Sequence, residues 1–123
     1  MLINITNHPI NSWSNSQLQE AVVQYGEVVD WPFPLIPPEA DENTVYKMAV
    51  ELVNEVVSKY DQNITVHIMG EQTFCFDAVM EFARYGIKCV ASTTTRNVYL
   101  NGKGDKVTHF DFVRFRSYNL PKP

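Results

Sequence analysis

Positive charge is scarce in this sequence. Ten Lys and Arg stand against fourteen Asp and Glu, for a formal net charge of −4. Duplex nucleic acid is held by clustered cations on phosphate, so this balance excludes it as a general partner and leaves room only for a small local basic patch. Cysteine is nearly absent as well. Cys75 and Cys89 are too few for a disulfide scaffold, and each sits in an apolar run, which predicts two buried free thiols. No stretch of about 18 apolar residues occurs, so no membrane span is expected. The Met1-Leu2-Ile3-Asn4-Ile5 start has neither the basic region nor the long apolar region of a signal peptide. It reads as a first strand, and a cytoplasmic location is the default expectation. GxGxxG and Walker patterns are missing, which disfavours a tightly held dinucleotide or ATP, and the missing GxSxG disfavours an α/β-hydrolase. No two His or Cys have metal-ligand spacing. We therefore expect no metal and no cofactor.

What is present is a strongly patterned chain of 123 residues, 45% of them hydrophobic, enough for one packed domain over residues 1–123. Leu2 to Thr6 is a short apolar strand stopped by Asn7-His8-Pro9. Ser14 and Gln17 have the spacing of a helix start; Leu18, Ala21, Val22 and Tyr25 follow at helical intervals, and Gly26 closes the helix. Glu27 to Asp30 is a second strand. The four prolines between Trp31 and Pro38 forbid regular helix or central strand. Asp41 to Tyr60 carries one apolar stripe at a period near 3.6 and is the longest helix. Ile64 to Met69 is a third strand. A third helix is expected from Gln72 to Tyr85 with Phe76, Val79, Met80 and Ala83 inward. Ile87 to Ala91 is a fourth strand, leading into Ser92-Thr93-Thr94-Thr95-Arg96. Beyond it, Asn97 to Leu100 and Lys106 to Arg116 flank a hairpin turn at Asn101 to Asp105. The apolar pattern slips between Phe110/Phe112 and Val113/Phe115, which fits either a bulge or a strand covered on both faces.

Strands joined through helices run parallel with right-handed crossovers. The fold class is therefore α/β: three layers, a mainly parallel Rossmann-like sheet in the order 2-1-3-4, and strand five antiparallel at the end. Ligands of such sheets bind beyond the carboxyl ends of the strands, at the switch point between strands one and three. Three polar clusters fall at those ends: Asn7-His8, Gly70-Glu71-Gln72-Thr73, and Ser92 to Arg96. Gly70 permits close approach of backbone, and the following helix start offers free N–H groups to an anion, with Thr73 adding a hydroxyl. Alternatively, Gly70 makes a turn and Thr73 caps the helix. Glu71 would repel phosphate and suits a ribose hydroxyl, a base amine or Arg96. Ser92, Thr93, Thr94 and Thr95 followed by Arg96 suit a phosphate or phosphodiester, Arg supplying a two-pronged fork; alternatively they are an ordinary β-rich strand with one exposed Arg. His8 has the chemistry of a general acid or base near neutral pH, or of a local backbone cap. His67, inside strand three, reads as a hydrogen-bonded core residue, and His109 has no partner that the pattern names.

The segments Asn4 to Pro9, Val28 to Pro34, His67-Ile68-Met69-Gly70-Glu71, Ala91 to Arg96 and Phe112-Val113-Arg114-Phe115-Arg116-Ser117-Tyr118 resemble a small group of CRISPR-associated proteins, single-domain relatives of the CRISPR-associated Rossmann fold (CARF). The resemblance implies a cyclic oligoadenylate ligand, the second messenger of type III CRISPR antiviral defence, bound on the axis of a homodimer. Some small members are similar to ring nucleases, which open that ring without a metal. That implies Arg96 stabilising charge on phosphate oxygens, His8 moving a proton, and Asn7, Gly70, Ser92 and Thr93 assisting. Glu71 and the acidic overall charge depart from a comfortable anion site. Two other readings stay open: a transferase or hydrolase acting on nucleosides or nucleotides with Glu71 as nucleophile or base, and a non-catalytic interaction module.

Overall fold

The computed structural model describes residues 1–122. Its elements in chain order are β1 (Leu2–Ile5), α1 (Asn15–Tyr25), β2 (Val28–Asp30), α2 (Glu42–Tyr60), β3 (Thr65–Ile68), α3 (Gln72–Arg84), β4 (Lys88–Leu100) and β5 (Lys106–Ser117). A single 3₁₀ turn at Ile10–Ser12 precedes α1. The sheet order is β2-β1-β3-β4-β5, with the first four strands parallel and β5 antiparallel to β4, as the pattern of the chain implies. Each helix start is marked by its own cap. Ser14 accepts from Gln17 N at α1, and Asp41 accepts from Thr44 N at α2.

Side chains alternate across a strand, and the alternation divides the core in two. Ile3, Ile5, Val66, Ile68 and Cys89 pack beneath α2 and α3. Leu2, Val90 and Phe115 face the other way, beneath Ala21 of α1. Cys75 and Cys89 are buried free thiols, as expected, and burial pushes them up to about 11 and about 12.

Three local expectations need correction or completion. On α3 the buried apolar positions are Phe74, Cys75, Ala78, Val79 and Phe82, whereas Phe76 and Met80 are exposed. The helix is apolar on two stripes. The one bearing Phe74 wins because that ring docks edge-on against Phe33 of the proline loop, with centroids 5.3 Å apart. Second, Ser92 to Arg96 is the ordinary-strand alternative, the middle of a continuous β4 that runs past the expected end at Ala91, where β-branched Thr93 to Thr95 fit a pleated ladder. Third, the slipped pattern in β5 is a bulge. Thr93 pairs with Arg114 and Thr94 with Phe112, leaving Val113 as the extra residue. The bulge turns Phe112 and Phe115 to the same face, with ring centroids 5.0 Å apart.

Candidate functional site

The parallel pairing brings the carboxyl ends of β1, β3 and β4 side by side on the α1 face of the sheet. Leu2, Asn4 and Thr6 alternate onto that face, as do His67 and Met69, and Val90, Ser92 and Thr94. Where α1 stops covering them, a cleft of about 690 Å³ opens. Its polar lining includes Asn7, His8, His67, Ser92 and Thr94, and its aromatic lining is Trp13, Phe110 and Phe112.

The loop after β1 is fixed by a dense polar network. The carbonyl of His8 accepts from Asn4 Nδ2 at 2.9 Å, Thr6 Oγ1 at 3.0 Å and Trp13 Nε1 at 3.0 Å. Asp30, at the end of β2, accepts from Asn4 Nδ2 at 2.9 Å and from Ile10 N at 3.1 Å. These bonds hold the backbone of His8 while its exposed ring stands at the cleft wall. At the floor, His67 Nδ1 lies 2.8 Å from Asn4 Oδ1, and His67 Nε2 lies 3.2 Å from Ser92 Oγ. The rings of Trp13 and Phe115 stand edge-on to His67, each with its centroid 5.4 Å away. This burial lowers the imidazole to about 4, so the ring is neutral at physiological pH.

The residues singled out from the sequence divide accordingly. Asn7, His8, Gly70, Ser92 and Thr94 line the cleft together. Thr93 and Thr95 alternate onto the opposite face of β4, where Thr93 Oγ1 donates to the carbonyl of Arg114 at 3.2 Å. Arg96 shares the face of Ser92 and Thr94 and pairs with Phe110, but the cleft lining on β4 stops at Thr94 and does not include it. Glu71 and Thr73 are engaged elsewhere. The Glu71 carboxylate caps α3, accepting from Thr73 N at 2.7 Å, from Phe74 N at 3.0 Å and from the Thr73 hydroxyl. The Thr73 hydroxyl, with those amides, holds the carboxylate below its ordinary range. The helix start that an external anion would need is thus filled by the protein's own negative charge. Gly70 has a steric reason: a Cβ there would lie 2.3 Å from the Phe33 ring.

Asn4, Asp30, Trp13 and Phe112 belong to the site and were not picked out from the sequence. Asn4 carried a signal, a polar residue at an inward position of a short buried strand. A second hollow, of about 560 Å³, lies between α3 and the chain end and is mostly apolar, lined by Met69, Cys75, Phe76, Met80, Tyr118 and Leu120 among others. It gathers few polar groups and is the weaker candidate. Among the described residues, no group of three or more His, Cys, Asp or Glu could hold a metal ion, and no helix is long and apolar enough to cross a membrane.

One family model matches, described as "Uncharacterized protein MJ1673 family", over residues 1–116. No match was found among curated proteins or among solved structures.

Proposed function

The chain belongs to the uncharacterized MJ1673 family, and from the cleft that this fold builds we propose that it binds a cyclic oligoadenylate and opens the ring. The observation that carries the reading is the mixed lining of one cleft, in which hydroxyl, amide and imidazole groups stand beside three aromatic rings. Hydroxyls and amides match ribose and phosphate oxygens. Flat rings match adenine, whose stacking on an aromatic side chain contributes about 1–3 kcal/mol per base. The sequence resemblance supports the choice of a cyclic ligand and of a CRISPR-associated, antiviral role; the cleft supports the place.

The chemistry needs no external nucleophile. Each ribose of the ring carries a 2′-hydroxyl beside its phosphodiester, and holding that oxygen in line with phosphorus converts it into the attacking group. Charge then grows on the phosphate oxygens. Arg96, two residues beyond Thr94 on the same strand face, would reach in from outside the cleft lining to receive it, with Thr94 and Asn7 along the wall. The product is a linear oligoadenylate with a cyclic phosphate end. A cleft of about 690 Å³ takes only part of such a ring. A homodimer in which a two-fold partner presents the same patch supplies the rest.

The test is incubation with cyclic tetra- and hexa-adenylate, with and without EDTA, followed by chromatography and a thermal melt. One of the rings is expected to raise the melting temperature and to appear as a linear product, and Arg96→Ala is expected to slow the conversion while keeping its fold. If neither ring shifts the melt nor changes on the column, the reading is wrong.

A further inference from the structure

A chain of hydrogen bonds, Asp30–Asn4–His67–Ser92, runs beneath the cleft. Asn4 is 1% exposed and His67 2%. Polar groups buried so fully cost stability unless each atom is satisfied, and among the described residues no buried side-chain N or O lacks a partner.

The partners also dictate who donates. Asn4 Nδ2 gives its two hydrogens to the His8 carbonyl and the Asp30 carboxylate, both 2.9 Å away. Both of those can only accept, so the amide orientation is fixed and Asn4 Oδ1 faces His67 Nδ1. An amide oxygen accepts, hence Nδ1 carries the hydrogen. The neutral ring then presents the lone pair of Nε2 to Ser92 Oγ, 3.2 Å away. Ser92 Oγ also lies 3.3 Å from Met69 Sδ. It has one hydrogen, and imidazole nitrogen is the far stronger acceptor, so the proton points to His67.

A purely structural network could end on any buried group. This one ends on a hydroxyl in the cleft wall, beside Asn7, His8 and Thr94. We infer that Ser92 and His67 act together as the proton acceptor for the attacking 2′-hydroxyl, an inference that rests on the ring-opening reading. In the step, the 2′-oxygen gives its proton to Ser92 Oγ while the proton of Ser92 passes to His67 Nε2. The freed electron pair forms the bond from O2′ to phosphorus, and the bond from phosphorus to the 5′-oxygen breaks. The leaving oxygen keeps that pair and takes a proton from solvent. The imidazolium is costly in the free protein, where burial lowers the ring to about 4; the negative phosphodiester beside it and the Asp30 carboxylate behind the Asn4 amide offset the cost until the proton returns to water. Ser92 touches the reacting atoms; His67 and Asn4 act through it as positioning residues.

The experiment has two readouts. In the free wild-type protein, nitrogen NMR of labelled histidine is expected to show His67 as a neutral ring with hydrogen on Nδ1. A ring protonated on Nε2 at neutral pH would overturn the inference. In single-turnover cleavage of cyclic tetra- and hexa-adenylate, Ser92→Ala and His67→Gln are expected to lower the rate roughly hundredfold or more. Their Kd for the ring should stay within about threefold of wild type, and Ser92→Thr, which keeps the hydroxyl, should recover most of the rate. Variants as fast as wild type, or a loss of binding that accounts for the lost rate, would remove the proton-accepting role and leave the ligand assignment intact. Wild-type binding without cleavage would do the same. Absence of both binding and cleavage would remove the ligand assignment and this role with it.

Discussion

His67 is the residue whose place conflicts most with its type. An imidazole under two aromatic rings cannot hold a proton cheaply, and its lowering to about 4 is a statement about folding as well as chemistry. Above about pH 6.5, its ordinary value, the ring is neutral both folded and unfolded and adds no pH dependence. Between there and about 4 the unfolded chain takes up a proton that the folded chain refuses. Stability must therefore fall as pH falls through that window, the folded-to-unfolded ratio dropping about tenfold per pH unit for this one group. The capping carboxylates Asp41 and Glu71 lie below their ordinary values, so their contribution is complete above the usual carboxylate range and is lost only at lower pH. Urea midpoints measured from pH 7 to pH 5 are expected to decline in the wild type and to decline less steeply in His67→Gln. An unchanged slope in the variant would mean that the ring titrates freely. The sequence marks His67 as a core residue and the structure agrees, but its partners Asn4 and Ser92 are 63 and 25 positions away, so the hydrogen bonds that give it a role are invisible along the chain.

At the scale of elements, the outlier is the β4–β5 hairpin. β1 and β3 have four residues each, whereas β4 has thirteen. β3 pairs with β4 only as far as Val90, so from Ala91 to Leu100 the strand is paired with β5 alone and runs roughly 30 Å. A two-stranded ribbon is marginally stable in water when nothing packs on it. Val98, Leu100 and Phe110 are half or more exposed along this arm. Its tip is held by local bonds, Asn101 Oδ1 accepting from Lys103 N at 2.9 Å and from Asp105 N at 3.0 Å. Its base is held by Phe115, which is buried against Trp13 and Tyr25. Amide hydrogen exchange is thus expected to be fastest in the outer arm, near Val98 and Thr108, and slowest in β1 and β3, with a step at the Val113 bulge. Exchange as slow in the outer arm as in β3 would show that something covers the ribbon in solution, a second copy being the first candidate to examine by sedimentation.

Across the whole molecule, the parts legible in the sequence are those with a period. The alternation of strands and helices, the Ser14 and Asp41 caps and the turn at Asn101 yield the sheet order, because right-handed parallel crossovers leave few other topologies. The site was legible only in outline. Strand ends could be found, and Asn7, His8, Gly70, Ser92 and Thr94 do meet there. Which member of a polar run faces the cleft depends on a pleat that runs straight through it, and so Thr93 and Thr95 turn away. Glu71 turned out to serve its own helix, since a carboxylate two and three residues before unpaired amides satisfies them at once. The aromatic lining was hidden for another reason: Phe110 and Phe112 come from the returning strand, and only the hairpin and its bulge carry them over the ends of β1 and β3. That construction makes the cleft a joint between the rigid body and the least supported element. A ligand seated there must touch the loop after β1 on one side and the arm on the other, so binding should transmit order outward. With saturating cyclic oligoadenylate, exchange is expected to slow at Asn7 to Trp13 and at Thr94 to Phe112, while the exposed face of α2 stays unchanged. Protection falling instead at Phe76, Met80 and Leu120 would place the ligand in the apolar hollow beside α3 and would reassign the site.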